Sequence, residues 1–304
     1  MPAYVDTTPA QRVAEVGVLL RGTAAVTGWG ALTWRGARWF DGLTVDGTPL
    51  PVPVVAPTRR LRPQPCLELH EERLPATDVE CRDGLRVTTA LRSVVSVLRH
   101  AGDLDAAVSA LEMAYCNDLV SPDEVAGWLA AHPGVPGVVQ ARAALDLADQ
   151  NSWSPMEWTL RRLWTERFGS ARLLTNRPVF DHSGRHVATP DVIDADTGVS
   201  GEYDGVAHHG GARRAKDLRR EADLRRVGVE PVVMVAADAH RRTAFWARLE
   251  DAYARARRTS ASDRAWTLEP PHWWRSTHTV DLRRSLEGTE REVWLGGRSA
   301  RPSS

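Results

Sequence analysis

Residues 187–204 constrain the fold more than any other stretch. Two strand-type runs, Val187 to Ala195 and Val199 to Asp204, are separated by nothing but Asp196-Thr197-Gly198. Short polar side chains bond the amides of a turn and glycine accepts a left-handed backbone, so this tripeptide reads as a tight reversal. A connection that short permits only an antiparallel pair. With the turn centred on Asp196-Thr197, Ala195 pairs with Gly198 and, counting outward, Asp191 with Glu202. Alternation along the strand then puts Asp204 on the face of Glu202 and turns Tyr203 away. A helix from Pro155 to Phe168, stopped by Gly169, and a strand from Pro178 to Asp181 precede this hairpin. After it come a basic helix from about Ala212 to Val227, a Gly228 stop, a buried-type strand from Pro231 to Val235 and a helix from Arg241 to Arg257. The order helix, β-meander, helix, strand, helix predicts an α/β sandwich.

The first half reads differently. A helix from Pro9 to Leu20 leads into a segment with Trp29, Trp34 and Trp39 among small residues, taken as core, and β-type runs follow at Val52 to Val55 and Cys66 to Glu71. From Thr88 the apolar spacing becomes helical, through Leu91, Val94, Val95 and Leu98 and then Leu104, Ala107, Val108 and Leu111. Ser121-Pro122-Asp123-Glu124 opens a third helix with a cap residue, proline in the first turn and early acids. A helix from Val138 to Gln150 closes an α+β domain over 1–150, followed by an α/β domain over 151–258 and a Trp-containing extension over 259–304.

The balance of 39 basic and 39 acidic residues gives no global attraction to nucleic acid, so any such site must be a local patch. Cys66, Cys81 and Cys116 are odd in number and lack a CxxC spacing, which argues against a disulfide framework or zinc site and suits a reducing cytoplasm. No run approaches the ~20 apolar residues of a membrane span, so no membrane partner is expected.

Asp191, Glu202 and Asp204 are thus expected to converge. Like charges facing one another in a sheet require protonation, an arginine partner or a metal cation. Oxygen-only ligands suit Mg²⁺ or Mn²⁺, which activate water and stabilise charge on a transferring phosphate. His208 and His209 follow the strand, where a general base or a phosphate contact would stand. Plainer readings stay open: acids gather near turns because turns are solvated, the His pair also suits an exposed loop, and a one-residue slip would send Asp191 to the other face. The basic helix sets Arg213, Arg214, Lys216, Arg219, Arg220, Arg225 and Arg226 against Asp217, Glu221 and Asp223. It is either a salt-bridged solvent face or a surface for phosphates.

Ser154-Pro155-Met156-Glu157 opening a helix, Pro190-Asp191, Gly201-Glu202-Tyr203-Asp204-Gly205 with His208, and Lys216-Asp217-Leu218-Arg219-Arg220 before a strand form an ordered set. It resembles the very-short-patch-repair-like branch of the PD-(D/E)XK nuclease superfamily, over about Ser154 to Asp238. The resemblance implies a restriction-endonuclease-like core, a mixed sheet flanked by helices with a metal at the sheet edge. Asp191 would be the central metal ligand, Glu202 the second, Glu157 a helix-borne acid facing the site and His208 the active-site histidine. Arg220 would be a phosphate or structural contact, with Arg213 and Lys216 as further nucleic-acid contacts. Asp204 stands where that superfamily carries lysine, which leaves charge stabilisation to His208 or a nearby arginine. Ser154 and Glu157 also have the spacing of a capping box, in which the carboxylate returns to the backbone.

The first half resembles, more loosely, the middle region of actinobacterial proteins related to AbiEi-type antitoxins, through Arg86 to Arg92 and the helix Ser93 to His100. A winged helix-turn-helix usually precedes that region, and Tyr4-Val5-Asp6 stands just where it would end. Arg92 is read as structural. Three functions follow as expectations: a Mg²⁺-dependent endonuclease cleaving DNA phosphodiester bonds; a catalytically inactive antitoxin-like regulator or binding module, with a partner toxin or defence-system protein; or a purely structural α/β protein.

Overall fold

The computed structural model describes residues 7–44, 46–57, 62–169, 172–205 and 211–296, without the side chains of 211–217 and 261. The chain divides into two compact units, Met1–Ala148 and Asp149–Ser304. The fold is of the α/β class, with mixed sheets flanked by helices. Among the described residues no helix is long and apolar enough to cross a membrane.

Unit 1 runs α1 (Pro9–Leu19), β1 (Ala25–Val26), α2 (Gly28–Trp34), β2 (Val52–Val55), β3 (Leu67–His70), β4 (Val79–Arg82), β5 (Leu85–Thr88), α3 (Ala90–His100), α4 (Leu104–Cys116), α5 (Pro122–Ala131) and α6 (Val138–Leu147). Its strands form one mixed sheet in the order β3-β2-β1-β5-β4. The Ser121 hydroxyl accepts from the Glu124 amide at 3.3 Å while Glu124 accepts from the Ser121 amide at 2.6 Å, the reciprocal box that starts α5. Of the three early tryptophans Trp29 is buried; Trp34 and Trp39 are only partly covered.

Unit 2 runs α7 (Pro155–Phe168), β6 (Leu173–Thr175), β7 (Val179–Asp181), β8 (His186–Ala188), β9 (Val192–Asp194), β10 (Val199–Asp204), α8 (Gly211–Arg226), β11 (Glu230–Val235), α9 (Arg242–Ala256), β12 (Trp266–Thr267), α10 (Val280–Arg284) and α11 (Gly288–Leu295). A four-stranded mixed sheet has the order β11-β10-β9-β6, with β10 and β11 parallel and the other pairs antiparallel. A three-stranded antiparallel sheet has the order β12-β7-β8.

Alternation along β9 sorts two cores. Val192 joins Leu160, Trp164, Phe245 and Leu249 of α7 and α9, while its neighbour Ile193 joins Val179, Ala188, Leu224 and Trp266. The larger sheet therefore carries α7 and α9 on one face and α8 with the smaller sheet on the other. Gly201 is obligatory here: a Cβ on it would lie 2.7 Å from the Trp164 ring.

Two sequence expectations are corrected. The single strand over 187–195 is two strands in different sheets, because Pro190 has no amide for a ladder and breaks the run between β8 and β9. β11 is a sheet edge rather than a fully buried strand, with Val233 and Val235 exposed. The extension after 258 contributes β12, α10 and α11, and Trp266 sits in the second core.

Candidate functional site

The hairpin keeps the register set by its turn. Ser200 faces Ile193 and Gly201 faces Val192, so the next pair outward is Asp191 and Glu202. One carboxylate oxygen of Asp194 accepts the amides of Asp196 at 2.9 Å and Thr197 at 3.4 Å, and Gly198 takes φ 77°. These local bonds tighten the reversal and hold the register. At the far end Asp191, only 3% exposed, accepts the backbone N–H of Tyr203 at 2.8 Å. Its carbonyl accepts the N–H of Asn176 at 2.9 Å. Asp191 is thereby fixed at the lip of β9 in a defined orientation.

Glu202 is half-buried and engaged by α8. Arg220 reaches across with Nη1 3.1 Å from Oε2 and Nη2 2.9 Å from Oε1, and also donates to the Thr189 carbonyl. Of the three remedies for facing carboxylates, the fold thus displays the arginine. Asp204 lies two positions beyond Glu202, about 6.6 Å along a strand. Tyr203 between them has its hydroxyl pKa pushed up by burial and by the Asp204 charge. The expected three-carboxylate convergence is not formed: among the described residues no group of three or more His, Cys, Asp or Glu side chains is arranged to hold a metal ion.

Glu157 is fully buried in the first turn of α7, which packs on the sheet face opposite α8. Its Oε2 accepts the N–H of Trp153 at 2.9 Å and Nδ2 of Asn176 at 2.5 Å. The carboxylate does return to the backbone, one residue ahead of the cap position that the sequence suggested. Asn176 in turn donates to the Asn151 carbonyl at 2.8 Å, and Asn151 donates back to the carbonyls of Thr175 at 2.7 Å and Asn176 at 3.1 Å. Sequence reasoning missed this asparagine clasp, which joins Glu157 to the backbone of Asp191. The one available signal was the tolerance of asparagine for positive φ, which Asn176 uses at 48°.

His208 and His209 lie outside the described residues, as do the side chains of Arg213 and Lys216, whose backbone belongs to α8. At the other end of that helix Arg225 pairs with Glu221 at 2.6 Å and Arg226 with Asp223 at 2.5 Å, so part of its basic excess is spent within the helix.

Asp191, just before β9, and Glu202 in β10 carry oxygen donors, the chemistry that Mg²⁺ and Mn²⁺ accept. The Glu202–Arg220 pair is about a quarter exposed at each side chain. A pair so open to water is worth about 1 kcal/mol or less, so it does not bar a divalent cation from Glu202. No protein-family model, curated protein or solved structure matches this chain.

Proposed function

We propose that unit 2 is a Mg²⁺- or Mn²⁺-dependent endonuclease domain that hydrolyses DNA phosphodiester bonds, as its resemblance to the PD-(D/E)XK superfamily implies. The observation that supports this most is the hairpin register, which, continued one pair outward, sets Asp191, just before β9, opposite Glu202. These two carboxylates would hold the cation, whose chemistry is to activate water and to neutralise charge on a phosphoryl oxygen. The Tyr203 amide keeps Asp191 aimed. Arg220, which neutralises Glu202, is the guanidinium best placed to take a phosphate oxygen where the superfamily's lysine is replaced by Asp204. DNA is the partner, engaged through local contacts on α8.

A second reading is favoured by one feature. A guanidinium already balances Glu202, so the fold needs no metal to be stable, and an inactive antitoxin-like binding platform would look the same. Calorimetry with Mg²⁺ and Mn²⁺ on the wild type and Asp191→Ala, with DNA cleavage assayed on the same samples, separates the two. Metal binding and cleavage that vanish together in the variant establish the nuclease. Failure of the wild type to bind either metal removes it and leaves the platform.

A further inference from the structure

Two cavities in unit 2 share a wall. One, of about 340 Å³, is bounded by Trp153, Trp274 and Trp294 with Asn176, Arg177 and His278 at its polar edge. The other, of about 600 Å³, has Arg172, Arg177, Arg264 and His182 in its lining against one carboxylate among the described residues, Glu269. Arg177 and Leu268 belong to both.

Arg177 links the two chemically. Its half-buried guanidinium makes no hydrogen bond or ion pair with any described residue, and Asp149 is the one charge that acts on it favourably. Burial pushes its pKa down, because a cation loses hydration there without a full replacement. Such a group, set between an aromatic chamber and a basic cleft, is built to receive an anion.

The aromatic walls pack on one another. Trp274 sits 5.0 Å from Trp294 and 5.0 Å from Phe180 in edge-on contacts, and 5.1 Å from His186 in a stacked one. Trp153 and Asn176 are held by the buried carboxylate of Glu157. Thr189, also in the wall, is the residue whose carbonyl takes Arg220 from the carboxylate site. The chamber thus adjoins the Asp191–Glu202 pair and shares its supports.

We infer that this chamber binds a single unpaired nucleotide, its base among Trp153, Trp274 and Trp294 and its phosphate on Arg177 at the mouth of the basic cleft. Stacking on indole rings accepts any base, and polar groups at one edge can hydrogen-bond a base taken out of a helix. Glu157 is a positioning residue for this chamber, acting through Trp153 and Asn176. The inference rests on the reading of unit 2 as a nucleic-acid enzyme, but does not require that it cleave.

The test is quenching of tryptophan fluorescence in EDTA, in the full chain and in its Asp191→Ala variant, titrated with dAMP, deoxyadenosine, a short single-stranded oligonucleotide and the matching duplex. Saturable quenching by dAMP and the single strand, in both proteins and more tightly than by deoxyadenosine or duplex, is expected. Quenching by the single strand alone would make a strand the source of the nucleotide; quenching by dAMP as well adds free nucleotides. Arg177→Gln should weaken dAMP binding by about tenfold or more, as loss of a charged hydrogen bond does. Trp153→Leu should weaken it by roughly fivefold to a hundredfold. Arg177→Gln replaces a partly exposed side chain and keeps the test decisive should Trp153→Leu fail to fold. Equal affinity for deoxyadenosine and dAMP, indifference to Arg177→Gln, or no quenching overturns the inference. Since binding is read without metal, these results stand apart from the cleavage assay.

Discussion

In unit 1 the Glu72 carboxylate receives two guanidiniums from α3, whereas in unit 2 the Glu202 carboxylate receives one from α8. Arg99 grips Glu72 at 3.0 and 2.7 Å and Arg92 adds a further bond; both arginines are at least 95% buried. Arg99 also donates to the Pro136 carbonyl at 2.7 Å, and Arg92 lies over the Trp128 ring, so the clasp ties β3, α3, α5 and α6 together. Burial pushes the Glu72 carboxyl up, but the bonds and charges of Arg99 and Arg92 outweigh it and hold its pKa at about 2. Glu202 and Arg220 stay about a quarter open to water. The same chemical pair is a structural clasp where its guanidiniums are buried and doubled, and a more open contact where the guanidinium is single and a quarter exposed.

The largest way to break the comparison is Glu72→Ala. It strands two buried guanidiniums and should cost about 3 kcal/mol or more, read as a fall in the urea midpoint of unit 1. A loss under 1 kcal/mol would mean the clasp is no more than a surface pair.

The pH dependence of unit 1 sharpens it further. His70 is lowered to about 4 by burial first and then by the His100 charge, with Glu72 opposing. Between about 4 and 6.5 the unfolded chain therefore binds more protons than the folded one, and stability falls as pH drops through that window. Glu72, lowered from 4.5 to about 2, is stabilising above the unfolded value and adds a second loss as pH falls from 4.5 toward 2. Urea midpoints taken from pH 7 to pH 4 should decline, and His70→Leu should flatten that decline.

Unit 2 has a buried polar knot of its own, three residues from Asp191. Trp164 donates to the Tyr253 hydroxyl at 2.9 Å, and that hydroxyl donates to Asp194 at 2.8 Å. Tyr253→Phe leaves an indole N–H and a carboxylate oxygen without that partner and should cost about 1–3 kcal/mol in thermal unfolding. No change would show that water replaces the hydroxyl.

The smallest effect belongs to Arg220→Gln. Stability should shift by about 1 kcal/mol or less, since a half-open pair contributes no more. On the nuclease reading the same variant binds Mn²⁺ more tightly by calorimetry, because a competing cation has gone, and cleaves DNA more slowly. Weaker metal binding would show that Arg220 orients Glu202 for the ion.

Much of the carboxylate pair was legible beforehand, and for a local reason. The register of β9 and β10 follows from the Asp-Thr-Gly turn, whose bonds lie within a few residues of chain. The limits of α7, with Pro155 at its start and Gly169 at its end, are local in the same way. Pro190 also carried a legible signal, and its lack of a donor explains why one expected strand became two.

What the linear chain determined by itself is therefore the α/β class, the limits of α7 and the opposition of Asp191 to Glu202, all of which depend on near neighbours and alternation. Only the tertiary structure decided which groups answer those charges. Arg220 and Glu202 lie 18 residues apart, Asn176 and Glu157 19 apart, and Trp164 and Tyr253 89 apart. Those partners are chosen by the packing of helices on either face of the sheet, and no short-range rule of sequence encodes how a side chain is met from across the fold.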